Sequence, residues 1–202
     1  MHNMIEYVPK VRDTPKLVKV ISAWGDIPTI LKDIIVTFNI NPQIALEFGV
    51  EYGYSTSALS NYFTKVIGVD TFTGDIHSYI KRDHSKMTQF VLKDYTNIEL
   101  IKSNYQDFIK NNNNIYDLIH IDIVHTYNET YECGEWAVNH SKVVIFHDTN
   151  SFDEVKKVCY DLSTKYGLEF YNYPDSHGLG ILINNSIQRY ERSGPPQDQD
   201  RA

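Results

Sequence analysis

The chain has 202 residues, 42% of them apolar, and a formal net charge of −7. That length suits one domain with a sizeable core. The acidic balance argues against a broad nucleic-acid surface, which needs Lys and Arg to meet phosphates. The two cysteines, Cys133 and Cys159, form neither a metal-ligand pair nor a disulfide framework. No run approaches the roughly 20 apolar residues that span a membrane, and no secretion signal is visible. A reduced, cytoplasmic setting without membrane or nucleic-acid partners is therefore expected.

Residues 1–14 are polar and expected to be loose at their start. Over 15–24, Leu17, Val18, Val20 and Ile21 predict a first helix. Asp26 and Pro28 mark the start of a second, because proline is tolerated in a first turn. Ile30, Leu31, Ile34, Ile35 and Phe38 follow at helical spacing, and Asn41-Pro42 ends the helix. The stretch 44–71, IALEFGVEYGYSTSALSNYFTKVIGVDT, then reads as strand, glycine turn, helix and strand. Gly49 and Gly53 frame the turn. Ser55 and Thr56 are placed to cap a helix that carries Ala58, Leu59 and Tyr62, and Asp70 closes the second strand.

In an open α/β sheet, ligands bind beyond the carboxyl ends of the strands, where Glu47 and Asp70 both belong. A nucleoside-containing cofactor fits that pattern. Glycines let the backbone approach it, and an acid about 20 residues on takes the ribose hydroxyls. A dinucleotide site wants G-x-G-x-x-G, whereas this turn reads E-x-G-x-x-x-G. Glu51 within it would repel a phosphate and suits a cofactor with a cationic amino-acid end. Two other readings stand beside this one: a nicotinamide site, and a tight strand-to-helix turn with no ligand.

Residues 71–94 are mixed, and Ile80, Met87, Phe90 and Val91 predict a helix over part of them. Lys81, Arg82, His84 and Lys86 form a basic cluster that reads as a solvated face, with His77 and His84 exposed. A third strand over 98–101 is followed by Asn104 and a short helix with Phe108. A fourth strand over 116–122, a helix over 126–138, a fifth strand over 142–148 and a helix over 152–166 come next. His120 lies inside the fourth strand and reads as a packing residue. The last two strands, 168–173 and 179–183, are joined too briefly for a parallel crossover and should form an antiparallel hairpin. The expected organisation is an N-terminal helical cover (1–41), a cofactor-binding domain (42–190) and a flexible tail (191–202). The fourth and fifth strands end in Asp122 and Asp148. Adjacent parallel strands lie about 4.8 Å apart, so two such acids suffice to share one divalent ion. The plain alternative is that each caps the turn that follows it.

EFGVEYGYST, HIDIVHTY and FHDTN together resemble the class I S-adenosylmethionine (SAM) methyltransferases, in particular the small-molecule O-methyltransferase-like group (methyltransferase family 24-like). The resemblance implies an α/β fold with a Rossmann-like seven-stranded sheet, order 3-2-1-4-5-7-6, its last strand antiparallel. It also implies N-terminal helices that cover the cofactor or join a homodimer. The turn residues Glu47, Gly49 and Gly53, with Ser55, would hold the methionine end of SAM, Asp70 the ribose, and Asn104 the adenine amino group, which an amide oxygen can accept. Asp122 would face cofactor and substrate. Asp122 and Asp148, completed by Asn150 or His147, would bind Mg²⁺ or another divalent cation that holds and acidifies a substrate hydroxyl. His177, in the hairpin loop, would lie near the acceptor, and Trp24 would shield the methionine end or pack in the core. The family's D-G-D-H reads Asp122-Ile123-Val124-His125 here. Val124 replaces the second acid and leaves His125 as the proton acceptor, a role its ordinary pKa near 6.5 suits. The activity implied is methyl transfer to an oxygen of a small polar acceptor. The alternatives are a SAM-binding protein without turnover and a nicotinamide-dependent oxidoreductase.

Overall fold

The computed structural model describes residues 3–74 and 81–187; His77, Ile80 and the 191–202 tail lie outside them. The strands are β1 (Ile5–Glu6), β2 (Ile44–Phe48), β3 (Lys65–Asp70), β4 (Ile98–Lys102), β5 (Tyr116–Ile121), β6 (Ser141–His147), β7 (Glu169–Tyr173) and β8 (Leu179–Ile183). The helices are α1 (Ile27–Thr37), α2 (Tyr54–Ser60), α3 (Ser85–Val91), α4 (Tyr105–Ile109), α5 (Tyr127–Val138) and α6 (Asp153–Tyr166). The strands form one sheet in the order β1-β7-β8-β6-β5-β2-β3-β4. Only β8 runs against its neighbours, antiparallel to both β6 and β7. Counted from β2, this is the expected 3-2-1-4-5-7-6 sheet. β1 is an addition, pairing parallel with β7 through Ile5 and Tyr171.

Side chains on a strand alternate between faces, and the inner strands are apolar on both. On β6, Val143 and Ile145 face a core shared with α1 and α2, while Val144 and Phe146 face α5 and α6. Ile27, Ile30, Leu31 and Ile34 of α1 are essentially fully buried, each contributing about 1.5–3 kcal/mol relative to exposure. Pro28 sits in the first turn of α1, as its spacing predicts.

Three local expectations are corrected. Residues 15–24 are not helical. Their backbone bonds go instead to α2 and its end: Lys16 N donates to Asn61 Oδ1 and Val18 N to Ser57 Oγ. Ser55 and Thr56 do not cap α2. Gly53, at φ +85°, is the N-cap, and the Thr56 hydroxyl donates to Glu47 instead. His84 is buried rather than exposed, packed between Tyr52 and Phe72.

From Tyr7 on, the N-terminal segment is held by two carboxylates, Asp33 buried and Asp26 partly exposed. Asp33 on α1 accepts from Tyr7 Oη (2.6 Å) and from the backbone N–H groups of Lys10 and Val11 (3.1 Å each). Asp26 accepts from Arg12 Nη1, from Tyr173 Oη and from Ser176 Oγ, tying the segment to the β7–β8 loop. Among the described residues, no helix is long and apolar enough to cross a membrane.

Burial tends to raise the Asp26 carboxyl, but hydrogen bonds from Ser176, Tyr173 and Arg12 overcome this and hold it below its ordinary value. A carboxyl depressed on folding adds stability above its unfolded pKa near 3.9 and loses it as pH falls through the folded value. Thermal melts from pH 7 to 3 are expected to show wild type above Asp26→Asn at neutral pH. The gap should narrow below roughly pH 4; a pH-independent gap would rule out the charge as its source.

Candidate active site

A cleft of about 520 Å³ opens at the carboxyl ends of β2, β3, β5 and β6, within the range of small-molecule sites. One side carries Gly49, Ser55, Asp70 and Asn104; the other carries Asp122, His125, His147 and Asp148; residues 20–24 also line the cleft, with Trp24 buried among them.

The floor is set by two turns that touch. Gly49 follows β2 at φ +91°, and a Cβ there would stand 1.8 Å from the Asp122 carbonyl oxygen. Phe48 O accepts from Asp122 N (2.9 Å), and Gly49 N donates to Val69 O (3.0 Å). The ends of β2, β3 and β5 are thereby locked together. Asp70 organises the glycine turn as well as lining the cleft. Its Oδ2 accepts from Val50 N and Glu51 N (2.8 Å each), and its Oδ1 from Phe72 N (2.6 Å). A carboxylate oxygen has two acceptor sites, so Oδ1 retains capacity for a ribose hydroxyl.

Two residues expected to hold the cofactor do not line the cleft. Glu47 is fully buried against α2 and β5, where it accepts from Thr56 and meets His120 Nδ1 at 2.9 Å. Gly53 packs on Leu92, which a Cβ would strike at 2.6 Å. Asn104 does line the cleft, but it caps α4: Oδ1 accepts from Asp107 N (2.7 Å) and Nδ2 donates to Asp107 Oδ2 (2.9 Å).

On the opposite wall, four side chains converge from the ends of β5 and β6. His125 Nε2 lies 2.9 Å from Asp148 Oδ2 and 3.4 Å from Asp122 Oδ1. His147 Nδ1 lies 3.1 Å from Asp122 Oδ2, and its Nε2 donates to the Ser176 carbonyl at 3.1 Å. The His125 ring stacks on Phe152 with centroids 4.1 Å apart and planes at 9°. Burial works against the Asp122 carboxylate, but the charge of His147 and hydrogen bonds from both histidines hold its pKa far below the usual range. Burial likewise lowers His125, yet its hydrogen bonds to Asp122 and Asp148 outweigh this and push it up to about 9. At neutral pH it therefore carries its proton, which opposes the expected role of proton acceptor.

Among the described residues, Asp122, His125 and Asp148 form the group able to hold a metal ion, with donor atoms within 4.8 Å of one another. Asn150, expected as a ligand, is turned away. The chain leaves β6 through Asp148 at φ +67°, and Asn150 is spent on the β7–β8 segment, donating to Pro174 O and accepting from Asn172 Nδ2. His177 lies on the same side, against Ser151 Oγ at 2.9 Å. His147, expected from sequence as the alternative to Asn150 in the ligand set, has both ring nitrogens engaged, one with Asp122 and one with the Ser176 carbonyl.

Residues 46–149, slightly more than half of the chain, match the family described as "Methyltransferase domain". No curated protein matches the sequence. Among solved structures, the chain is similar to the O-methyltransferase TomG from Streptomyces achromogenes, involved in tomaymycin synthesis and solved with SAM. The TM-score is 0.59 at 13% identity, over 83% of this chain and 91% of that one. A SAH-bound Podospora anserina methyltransferase gives 0.58 at 12%, over 77% and 78%. The O-methyltransferase from Bacillus cereus, in complex with SAH, gives 0.56 at 15%, over 82% and 83%. At such identities the likeness is one of fold.

Gly49→Ala combines a positive φ with a collision against backbone. It is expected to cost about 3 kcal/mol in urea denaturation; a loss under about 1 kcal/mol would mean that the crossing turns yield.

Proposed function

The chain belongs to the family of methyltransferase domains, and on that premise we propose that it transfers the methyl group of SAM to an oxygen of a small polar acceptor, assisted by a divalent cation. One observation carries the reading: a single cleft of about 520 Å³ joins Asp70, at the nucleoside side, to the Asp122–Asp148 pair. SAM supplies the activated methyl group. Asp70, with spare acceptor capacity, receives a ribose hydroxyl. The exposed turn around Glu51 favours the cationic end of the cofactor over a phosphate.

The acid pair supports the oxygen acceptor. Two carboxyls this close suit a divalent ion, and a cation there would lower the pKa of a bound hydroxyl. The fold positions the acceptor oxygen and the methyl donor side by side, and proximity is the main contribution asked of it. The cleft volume favours a small acceptor over a polymer, in keeping with the net charge of −7.

Calorimetry with SAM and SAH, on wild type and Asp70→Ala, with and without a divalent cation, tests the reading. Wild type is expected to bind both, and the substitution to weaken them by about tenfold or more. Well-folded wild type that binds neither would overturn the SAM assignment, and NAD(H) would be measured next. Binding of SAM that no cation affects, in affinity or turnover, would remove the metal from the reading.

A further inference from the structure

We propose that His125 is a ligand of the cation in this cleft, bound through Nε2, and that this nitrogen makes the site prefer a first-row transition cation such as Mn²⁺ over Mg²⁺. The inference rests on the reading that Asp122 and Asp148 share a cation.

The donors arrive from three places: Asp122 at the end of β5, His125 in the turn before α5, and Asp148 just past β6. Nε2 stands 2.9 Å from Asp148 Oδ2 and 3.4 Å from Asp122 Oδ1. Neighbouring ligands on one cation with bonds of about 2.1 Å lie roughly 3 Å apart, so the two spacings match donors that share an ion. The imidazole is held by its stack on Phe152. The second oxygen of Asp122 meets His147 Nδ1, and His147 is anchored in turn on the Ser176 carbonyl. That contact leaves Asp122 Oδ1 on the His125 side. Outer partners of this kind orient ligands and are a regular part of metal sites. The oxygen donor that would have made the set all-oxygen, Asn150, bonds Pro174 and Asn172 instead.

The nitrogen changes the preference of the site. Mg²⁺ binds oxygen in a near-ideal octahedron and gives up water reluctantly. Imidazole suits d-block cations, whose affinity for mixed nitrogen and oxygen sets rises along the first row from Mn²⁺, the weakest of them and also at home on carboxylates, so Mn²⁺ is the mildest case of the preference. Cation binding displaces the Nε2 proton that His125 otherwise shares with the two carboxylates; His125 is then a ligand and not the proton acceptor, and proton loss from the acceptor depends on acidification at the acid pair.

The test uses the full chain, stripped with a chelator and labelled with ¹⁵N at histidine. Mn²⁺ and Mg²⁺ affinities are measured by calorimetry, and bound Mn²⁺ by pulsed electron paramagnetic resonance. Wild type is expected to bind Mn²⁺ at least about tenfold more tightly than Mg²⁺ and to show ¹⁵N coupling. His125→Asn should lose the coupling and most of the Mn²⁺ preference, with circular dichroism verifying its fold. Stoichiometric Mn²⁺ without nitrogen coupling in wild type would overturn the inference, whether or not the variant folds. Coupling that survives His125→Asn would overturn it too and give the ligand role to His147. Wild type that binds SAH but no cation would overturn the acid-pair reading first, and this inference with it.

Discussion

The cleft depends on a contact between two pieces of backbone. The turn after β2 and the turn after β5 approach so closely that a single carbon added to Gly49 would overlap the carbonyl of Asp122. This brings the end of β5, and with it Asp122, against the glycine turn. β6 lies beside β5 in register, Ile121 opposite Phe146, so His147 comes level with Asp122 and Asp148 follows one residue on. Neither acid would face Asp70 across one cavity if a side chain separated those turns. A positive φ that L-residues rarely adopt is thus what sets the width of the site.

Polar side chains near this crossing serve the backbone first. Asp70 gathers three N–H groups of the loops on either side of it. Asn104 caps a helix, Asp33 holds the first strand segment, and Asp26 ties that segment to the β7–β8 loop. Buried backbone donors must be satisfied, and in a chain with long irregular stretches short acids do that work. An acid at the end of a strand is therefore weak evidence for a ligand until its partners are known. Asp70 Oδ1 and Asn104 Oδ1 each accept one backbone N–H and each keep a second acceptor site toward the cleft.

The sheet was legible because strand order follows from chain order once the short hairpin and the glycine turn are recognised. Asp70, Asp122 and Asp148 were legible for the same reason: strand ends in such a sheet share one edge. The misread parts depend on long-range contacts. Leu17, Val18, Val20 and Ile21 suggest a helix, but Asn61 and Ser57 claim the backbone N–H groups of that segment. β1 is two residues long and exists only because β7 offers an edge. Glu47 ends an apolar run and reads as a cleft acid, yet period two turns it toward α2 and His120. Asn150 and His125 are both polar and each follows a strand-end acid within three residues. The left-handed turn at Asp148 separates them, and local sequence does not announce it.

The same turn brings the electrostatics of the site to a definite arrangement. Two carboxylates this close repel each other, and low dielectric sharpens the repulsion. The fold interleaves them with two imidazoles, His125 on the cleft side and His147 on the core side. His147 is fixed behind the acids by a backbone carbonyl and is nearly inaccessible, so it serves as permanent support. His125 sits in front, on the cavity wall, stacked on Phe152. A site with its counter-charge fixed behind and an adjustable donor in front favours exchange at the front face only. That asymmetry places any incoming cation, and the acceptor oxygen it would hold, on the cleft side of the acid pair, the side on which Asp70 and the glycine turn also lie.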